Sequence, residues 1–184
     1  MSEVKGSAVI ARMRFVRDRW GEAGWRRLRA GLAKPHRSLV DQRILPHHWV
    51  PFELFVDLNL AADSLFGRGD LALCREMGAH SAEVNLPTLY RIFFRLGRPS
   101  YILKKAARLW DVHYSSGRLV VEELPDGAMM RIEGFDTPHQ AHCLSVLGWA
   151  ERSVILSGGR DVVCAERSCR AEGDAACEME ARWR

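Results

Sequence analysis

The hydrophobic rhythm of this chain changes once, after His113, and that change fixes its fold class. Before it, apolar residues recur at helical spacing. Val9, Met13, Val16 and Trp20 stand at i, i+4, i+7 and i+11, and Trp25, Leu28 and Leu32 resume the stripe beyond Gly21. The pattern predicts one kinked helix, or two joined helices, over residues 8–32. Pro35 ends that region. A second helix is expected after Pro51, through Phe52, Phe55, Val56, Leu60 and Leu65 to a stop at Gly67-Arg68-Gly69, and residues 70–96 and 100–112 read as helical too.

After His113 the period shortens. Residues 118–124 are rich in β-formers, Pro125-Asp126-Gly127 signals a turn, and residues 128–133 can return as the partner strand. Thr137 is expected to cap a helix that begins at Pro138 and runs to Gly158-Gly159. Residues 160–169 and 175–182 form a second hairpin around Gly173-Asp174. The order predicts an α+β fold in one domain, residues 1–184. Its helical part covers about 7–113; a small antiparallel sheet of two hairpins around a helix covers about 114–184.

Composition supports a packed interior. With 184 residues, 47% hydrophobic and 27% charged, the chain has enough apolar surface to bury a core and lacks the signature of disorder. The longest uncharged stretch, residues 137–150, falls short of the roughly 18 residues a membrane span needs. The first twelve residues hold too few apolar positions for a signal-peptide core, so a cytoplasmic location is expected. Charge is unevenly placed: residues 1–37 carry ten basic and three acidic side chains, and the remainder is net acidic. Arginines 12, 14, 17 and 19 spread around their helix with no base-reading motif, so they read as a solvated face rather than a nucleic-acid interface.

Five cysteines in such a chain argue against a disulfide framework. Cys74 stands alone, whereas Cys143, Cys164, Cys169 and Cys177 all lie in the last quarter, with Glu166 among them. Cys169 and Cys177 flank the tip of the last expected hairpin. Cys143 belongs to the helix stripe Cys143, Leu147, Ala150, Val154 that should pack on the sheet. Helix, strand and turn can therefore converge on Cys143, Glu166, Cys169 and Cys177 as the four tetrahedral ligands of a structural zinc ion. The alternative is that these thiols are small buried hydrophobes around a tight turn.

Cys143, then Glu166-Arg-Ser-Cys169, then Cys177 resemble the zinc-ligand pattern of the vinyl-reductase-like small-molecule-binding domain of bacterial phenol- and xylene-sensing activators. The ending CLSVLGWAERSVILSGGRDVVCAERSCRAEGDAACEMEARW and the small-residue helix REMGAHSAEVNL are similar to that domain as well. Taken whole, the chain is most similar to a myxobacterial family related to it. The wider superfamily includes haem-binding nitric-oxide sensors and small subunits of vesicle-tethering complexes. The resemblance implies a zinc-stitched sheet and an apolar pocket for an aromatic or lipid-like ligand; Phe93, Phe94 and Trp110 are the candidates for lining it. Cys164, on the same strand face as Glu166, is an alternative metal ligand.

Tyr114-Ser-Ser116-Gly-Arg118 matches the Tyr-x-Ser-x-Arg signature that holds haem propionates in the nitric-oxide-sensing relatives, and KGSAVIARMRFVRDRWGEAGW resembles their opening helices. No histidine stands at the spacing those proteins use for iron, His80 and His113 being the nearest, so haem is not expected. His47-His48 reads as a surface turn. There is no phosphate-binding glycine loop and no nucleophile elbow, and four protein ligands would saturate a zinc ion, so an enzyme is not expected. The leading reading is a ligand-binding or sensory module that signals by protein contact. A scaffold subunit of the same fold without a small ligand comes next, then nucleic-acid binding. Trp20, Trp25 and Leu28 are more apolar surface than one small domain is expected to cover, which points to a homodimer.

Overall fold

The computed structural model describes residues 2–96 and 99–184, the side chains of 85–96 excepted. Strand β1 (Glu3–Lys5) leads into α1 (Gly6–Gly31) and α2 (Lys34–Val40). Then come β2 (Trp49–Pro51), α3 (Phe52–Phe66), α4 (Ala72–Leu96), α5 (Pro99–Ala107) and α6 (Trp110–His113). The C-terminal part is β3 (Arg118–Leu124), β4 (Gly127–Glu133), α7 (Gln140–Leu156), β5 (Val163–Ser168) and β6 (Cys177–Arg182). The α+β class is as expected.

α1 is broken at Gly21, whose φ of 64° and ψ of −170° suit a residue without Cβ. Val9, Phe15, Val16, Trp25 and Leu28 face the core on either side of that break. Leu28 and Trp25 are buried within the chain, and Trp20 stacks on Phe66 at 4.3 Å between ring centroids. The apolar surface invoked for a homodimer is thus largely covered internally.

The main sheet has the order β3-β4-β6-β5, all antiparallel, so the two expected hairpins join through β4 and β6. Leu124 pairs with Gly127 across the two-residue Pro125-Asp126 connection. A Cβ on Gly127 would stand 2.0 Å from the Ala181 carbonyl oxygen, which requires glycine there. Ala128, Met130, Ile132, Cys177, Met179 and Ala181 are buried on this sheet, alongside Cys143, Val146, Leu147, Ala150 and Val154 of α7, in one core cluster. α7 also packs backbone to backbone against α4. A Cβ on Gly78 would lie 2.0 Å from the Ser145 carbonyl oxygen, and one on Gly148 would lie 2.0 Å from that of Arg75.

Several boundaries differ from the sequence reading. Pro35 sits in the first turn of the short helix α2 instead of closing the region, because a missing N–H costs nothing there. β1 and β2 form a two-stranded sheet too short to leave a period of its own. The stretch 100–112 divides into α5 and α6. α7 starts two residues later than expected. Its cap is His139, whose Nδ1 accepts from the Ala141 N–H at 3.1 Å, and not Thr137. Within the described residues, no helix is long and apolar enough to cross a membrane.

Candidate functional site

α7 places two different groups of side chains on its two flanks. Toward the sheet, Cys143 meets Cys169 and Cys177 from the β5–β6 hairpin, with all three sulfurs within 4.8 Å of one another and all three residues buried. The Cys169 and Cys143 sulfurs are 3.7 Å apart, and no cysteine is in a disulfide. The hairpin holds this shape locally. The Asp174 carboxylate accepts from the Cys169 N–H at 2.8 Å, a turn of 3₁₀ helix follows at Arg170–Glu172, and Gly173 takes φ of 99°. The Arg170 N–H points at the Cys177 sulfur at 3.3 Å. Burial, then the neighbouring Cys177 and Cys169, pushes the Cys143 thiol far above its ordinary range, and burial raises Cys169 as well.

Glu166 stands beside Cys169 and Gln140, with its carboxyl raised by burial. One of its oxygens, Oε1, is buried with no partner. A buried carboxylate oxygen without a donor is costly. Among the sequence candidates, then, Cys143, Cys169 and Cys177 are brought together and Glu166 lies at their edge. Cys164 is not. It is buried on the same strand, but its surroundings are Arg75 and Glu151, and burial pushes its thiol up to about 12.

On its other flank α7 carries His142 and Ser145 into the helical half. His142 is 1% exposed and ringed by aromatic side chains: Phe135 and Tyr114 at 4.9 Å between centroids, Phe52 at 5.1 Å, Phe55 and Trp110 at 5.9 Å. Its Nε2 has no hydrogen-bond partner, and burial, then the charge of Arg12, depresses its pKa to about 3. Trp110 is buried, stacks on Tyr114 at 4.4 Å, and donates its indole N–H to the Ser116 carbonyl at 2.9 Å. Phe93 and Phe94 lie outside the residues whose side chains are described.

Arg12 is the residue that the sequence reading missed. It is 4% exposed, donates to the Ser81 hydroxyl at 2.5 Å and to the Ser145 hydroxyl, and lies 4.3 Å over the Phe55 ring. Several other arginines of α1 make ion pairs at the surface. Arg14 pairs with Asp18, Arg17 with Glu22, Arg19 with Glu76 and Arg29 with Asp41. Arg17 and Arg27 also lie over Trp25 and Phe66. The signal that could have singled out Arg12 is its position three residues after Val9 and four before Val16, on the buried stripe.

No family model matches the chain, and no curated protein matches it. Solved structures do. An oxygen-binding H-NOX domain related to soluble guanylate cyclases, in its oxygen complex, is similar with a TM-score of 0.70 and 15% identity, covering 98% of this chain and 95% of that one. An H-NOX protein from S. oneidensis in the Fe(II) ligation state reaches 0.74 at 11% identity, covering 98% and 96%. A Cs H-NOX mutant bearing 4-cyano-phenylalanine reaches 0.72 at 15% identity, with the same coverage. This chain has the H-NOX fold. These neighbours lend no support to the narrower vinyl-reductase-like assignment.

The expectation about cofactors is corrected by this result. Zinc was expected and haem set aside because no histidine stands at the iron spacing; yet the similar structures are H-NOX domains, among them ones solved to probe haem distortion and haem redox potential. Haem is named for those proteins, so it can no longer be set aside on the missing histidine. Within the Tyr-x-Ser-x-Arg signature, Ser116 and Arg118 have side-chain partners in this structure. Tyr114 lies against Trp110, the Ser116 hydroxyl is 3.0 Å from that of Ser2, and Arg118 donates to Glu133 at 2.6 and 2.8 Å.

Proposed function

We propose that the chain works as one ligand-binding sensor domain. It takes a small molecule at the junction of α1, α3 and α7 and reports the bound state to a partner protein through α7 and the sheet. The observation that carries this reading is the fold, shared over 98% of the chain with sensor domains, one of them oxygen-binding. The aromatic ring around His142 suits it: ligand sites are mostly apolar with a few convergent polar groups. The reading is non-enzymatic, since no paired acid and base or activated nucleophile accompanies these groups among the described residues.

The cluster of Cys143, Cys169 and Cys177, completed by Glu166, is proposed to hold a thiophilic metal ion that ties α7 to the β5–β6 hairpin. Four protein ligands would leave no open position, so the ion would be structural. The scaffold reading has less to rest on. Exposed large apolar side chains, Trp49, Tyr101, Val112, Ile155 and Val163, come from separate elements.

Native mass spectrometry and absorption spectroscopy of protein purified without chelator test both parts. One metal ion per chain and a retained small-molecule adduct are expected. A Soret band with a haem-mass adduct would identify that ligand as haem. A bare polypeptide mass, with under about a tenth of an equivalent of any metal, would overturn the reading.

A further inference from the structure

We infer that the interior around Arg12 is an anion-binding site, and that it selects small carboxylates with an apolar or aromatic body. The inference rests on the ligand-binding reading above and names the chemical class of the ligand. A guanidinium removed from water is tolerated when it is paired, and Arg12 is not. Its hydrogen bonds go to the neutral hydroxyls of Ser81 and Ser145 and, at 3.4 Å, to the Ala8 carbonyl. Its Nε is buried with no partner.

The negative charge that should accompany it is missing from every element packed around it. No carboxylate makes an ion pair with Arg12 among the described residues, and the residues outside that set, 1, 97 and 98 and the side chains of 85–96, include no Asp or Glu. The buried Asp63 of α3 is engaged elsewhere, accepting from the Leu71 and Leu73 N–H groups at 2.9 and 3.2 Å. Two acidic groups do feel the guanidinium, the Tyr114 phenol and the Cys74 thiol, but burial pushes each up to about 12, so both are neutral at pH 7. Arg12 itself is lowered only to about 10 and stays charged.

A second buried group without a partner adds to the case. The His142 Nε2 has none, and His142 and Arg12 both lie against the Phe55 ring, at 5.9 Å between centroids and at 4.3 Å. Ser145, which accepts from Arg12, lies one helical turn after His142 on α7. A carboxylate would give the guanidinium its counter-charge, and the surrounding rings suit an apolar body.

The test uses the full chain at pH 7 and fixed ionic strength, with sodium benzoate, sodium acetate and the uncharged benzamide as probes, read by thermal shift and by calorimetric titration. Benzoate is expected to raise the melting temperature by several degrees and to bind about tenfold or more tighter than benzamide. Acetate should act in the same direction, more weakly. Arg12→Met should lose the benzoate response, and Arg12→Lys should keep part of it, because the charge remains while the fork is lost. Equal responses to benzoate and benzamide would overturn the inference while leaving a ligand-binding domain. No response to either anion would also overturn it, and a retained neutral adduct in native mass spectrometry would then keep the broader reading alone. A benzoate response preserved in Arg12→Met would place the anion elsewhere and overturn the site. Should Arg12→Met fail to fold, the benzoate–benzamide comparison on the unaltered chain and the Arg12→Lys variant still decide.

Discussion

The two flanks of α7 meet interiors of opposite chemical character. On the sheet side, Cys143, Cys169 and Cys177 bring three buried thiols together, with a carboxylate oxygen left unpartnered beside them. On the helical side, the buried Arg12 guanidinium bonds neutral oxygens only, and the His142 Nε2 has no partner. On our proposals one interior takes a cation and the other an anion, and a single helix spans the two. The lesson is that a buried interior can leave polar groups without partners from its own chain.

The most disruptive way to break this pairing is to move α7 as a whole. Gly148→Leu would force a side chain against the Arg75 carbonyl, where even a Cβ stands at 2.0 Å, and overpacking of backbone against backbone is expected to cost about 3 kcal/mol or more. Little folded protein should survive, measured by soluble yield and circular dichroism. A melting temperature within a few degrees of the parent would show that the α4–α7 contact does not frame both sites.

Changes confined to one flank should then separate the two interiors. Cys169→Ser is expected to empty the metal site and lower the melting temperature by roughly 5–10 °C, the equivalent of about 2–3 kcal/mol in a chain of this size. Cys164→Ser should keep the metal, since Cys164 lies by Arg75 and Glu151. Metal analysis and melting curves check both. On the other flank, Ser145→Ala removes an acceptor of Arg12 and should cost about 1–2 kcal/mol while leaving metal content unchanged. Loss of metal in Ser145→Ala would mean that the flanks are not separable.

The smallest effect expected concerns pH. Burial lowers the pKa of His80, whose ring packs on Phe15. The unfolded chain takes up that proton at its ordinary value near 6.5 while the folded chain resists it, so stability falls as pH drops below about 6.5 and levels off once the folded form protonates. His80→Asn should make this acid limb shallower in urea titrations run from pH 7.5 to pH 5. An unchanged limb would assign it to the other buried histidines.

The sheet-side interior was legible because its signals are local. Glu166, Cys169 and Cys177 belong to one hairpin, and Cys143 falls on a stripe whose period already marks a buried face. The helical-side interior joins Arg12 to Ser81 and Ser145, 69 and 133 residues away, and no spacing rule reaches across that distance. Residue type added to the difficulty. Among so many surface arginines, Arg12 read as one more, although its neighbours Val9 and Val16 put it on the inward stripe. The α7 boundary failed for a similar reason: Thr137-Pro138 is a good helix start by composition, yet His139 supplies the cap. Haem was set aside from a missing local motif, whereas the likeness to haem proteins resides in the whole fold.

Hydrogen exchange measured on the same protein before and after metal removal tests the division between the two interiors most directly. If the thiol cluster is a structural metal centre separate from the ligand site, exchange should quicken in β5, β6 and the first turns of α7, while α1 and α3 keep their protection. Unchanged exchange everywhere, or an equal rise in α1, α3 and the hairpin, would contradict that division.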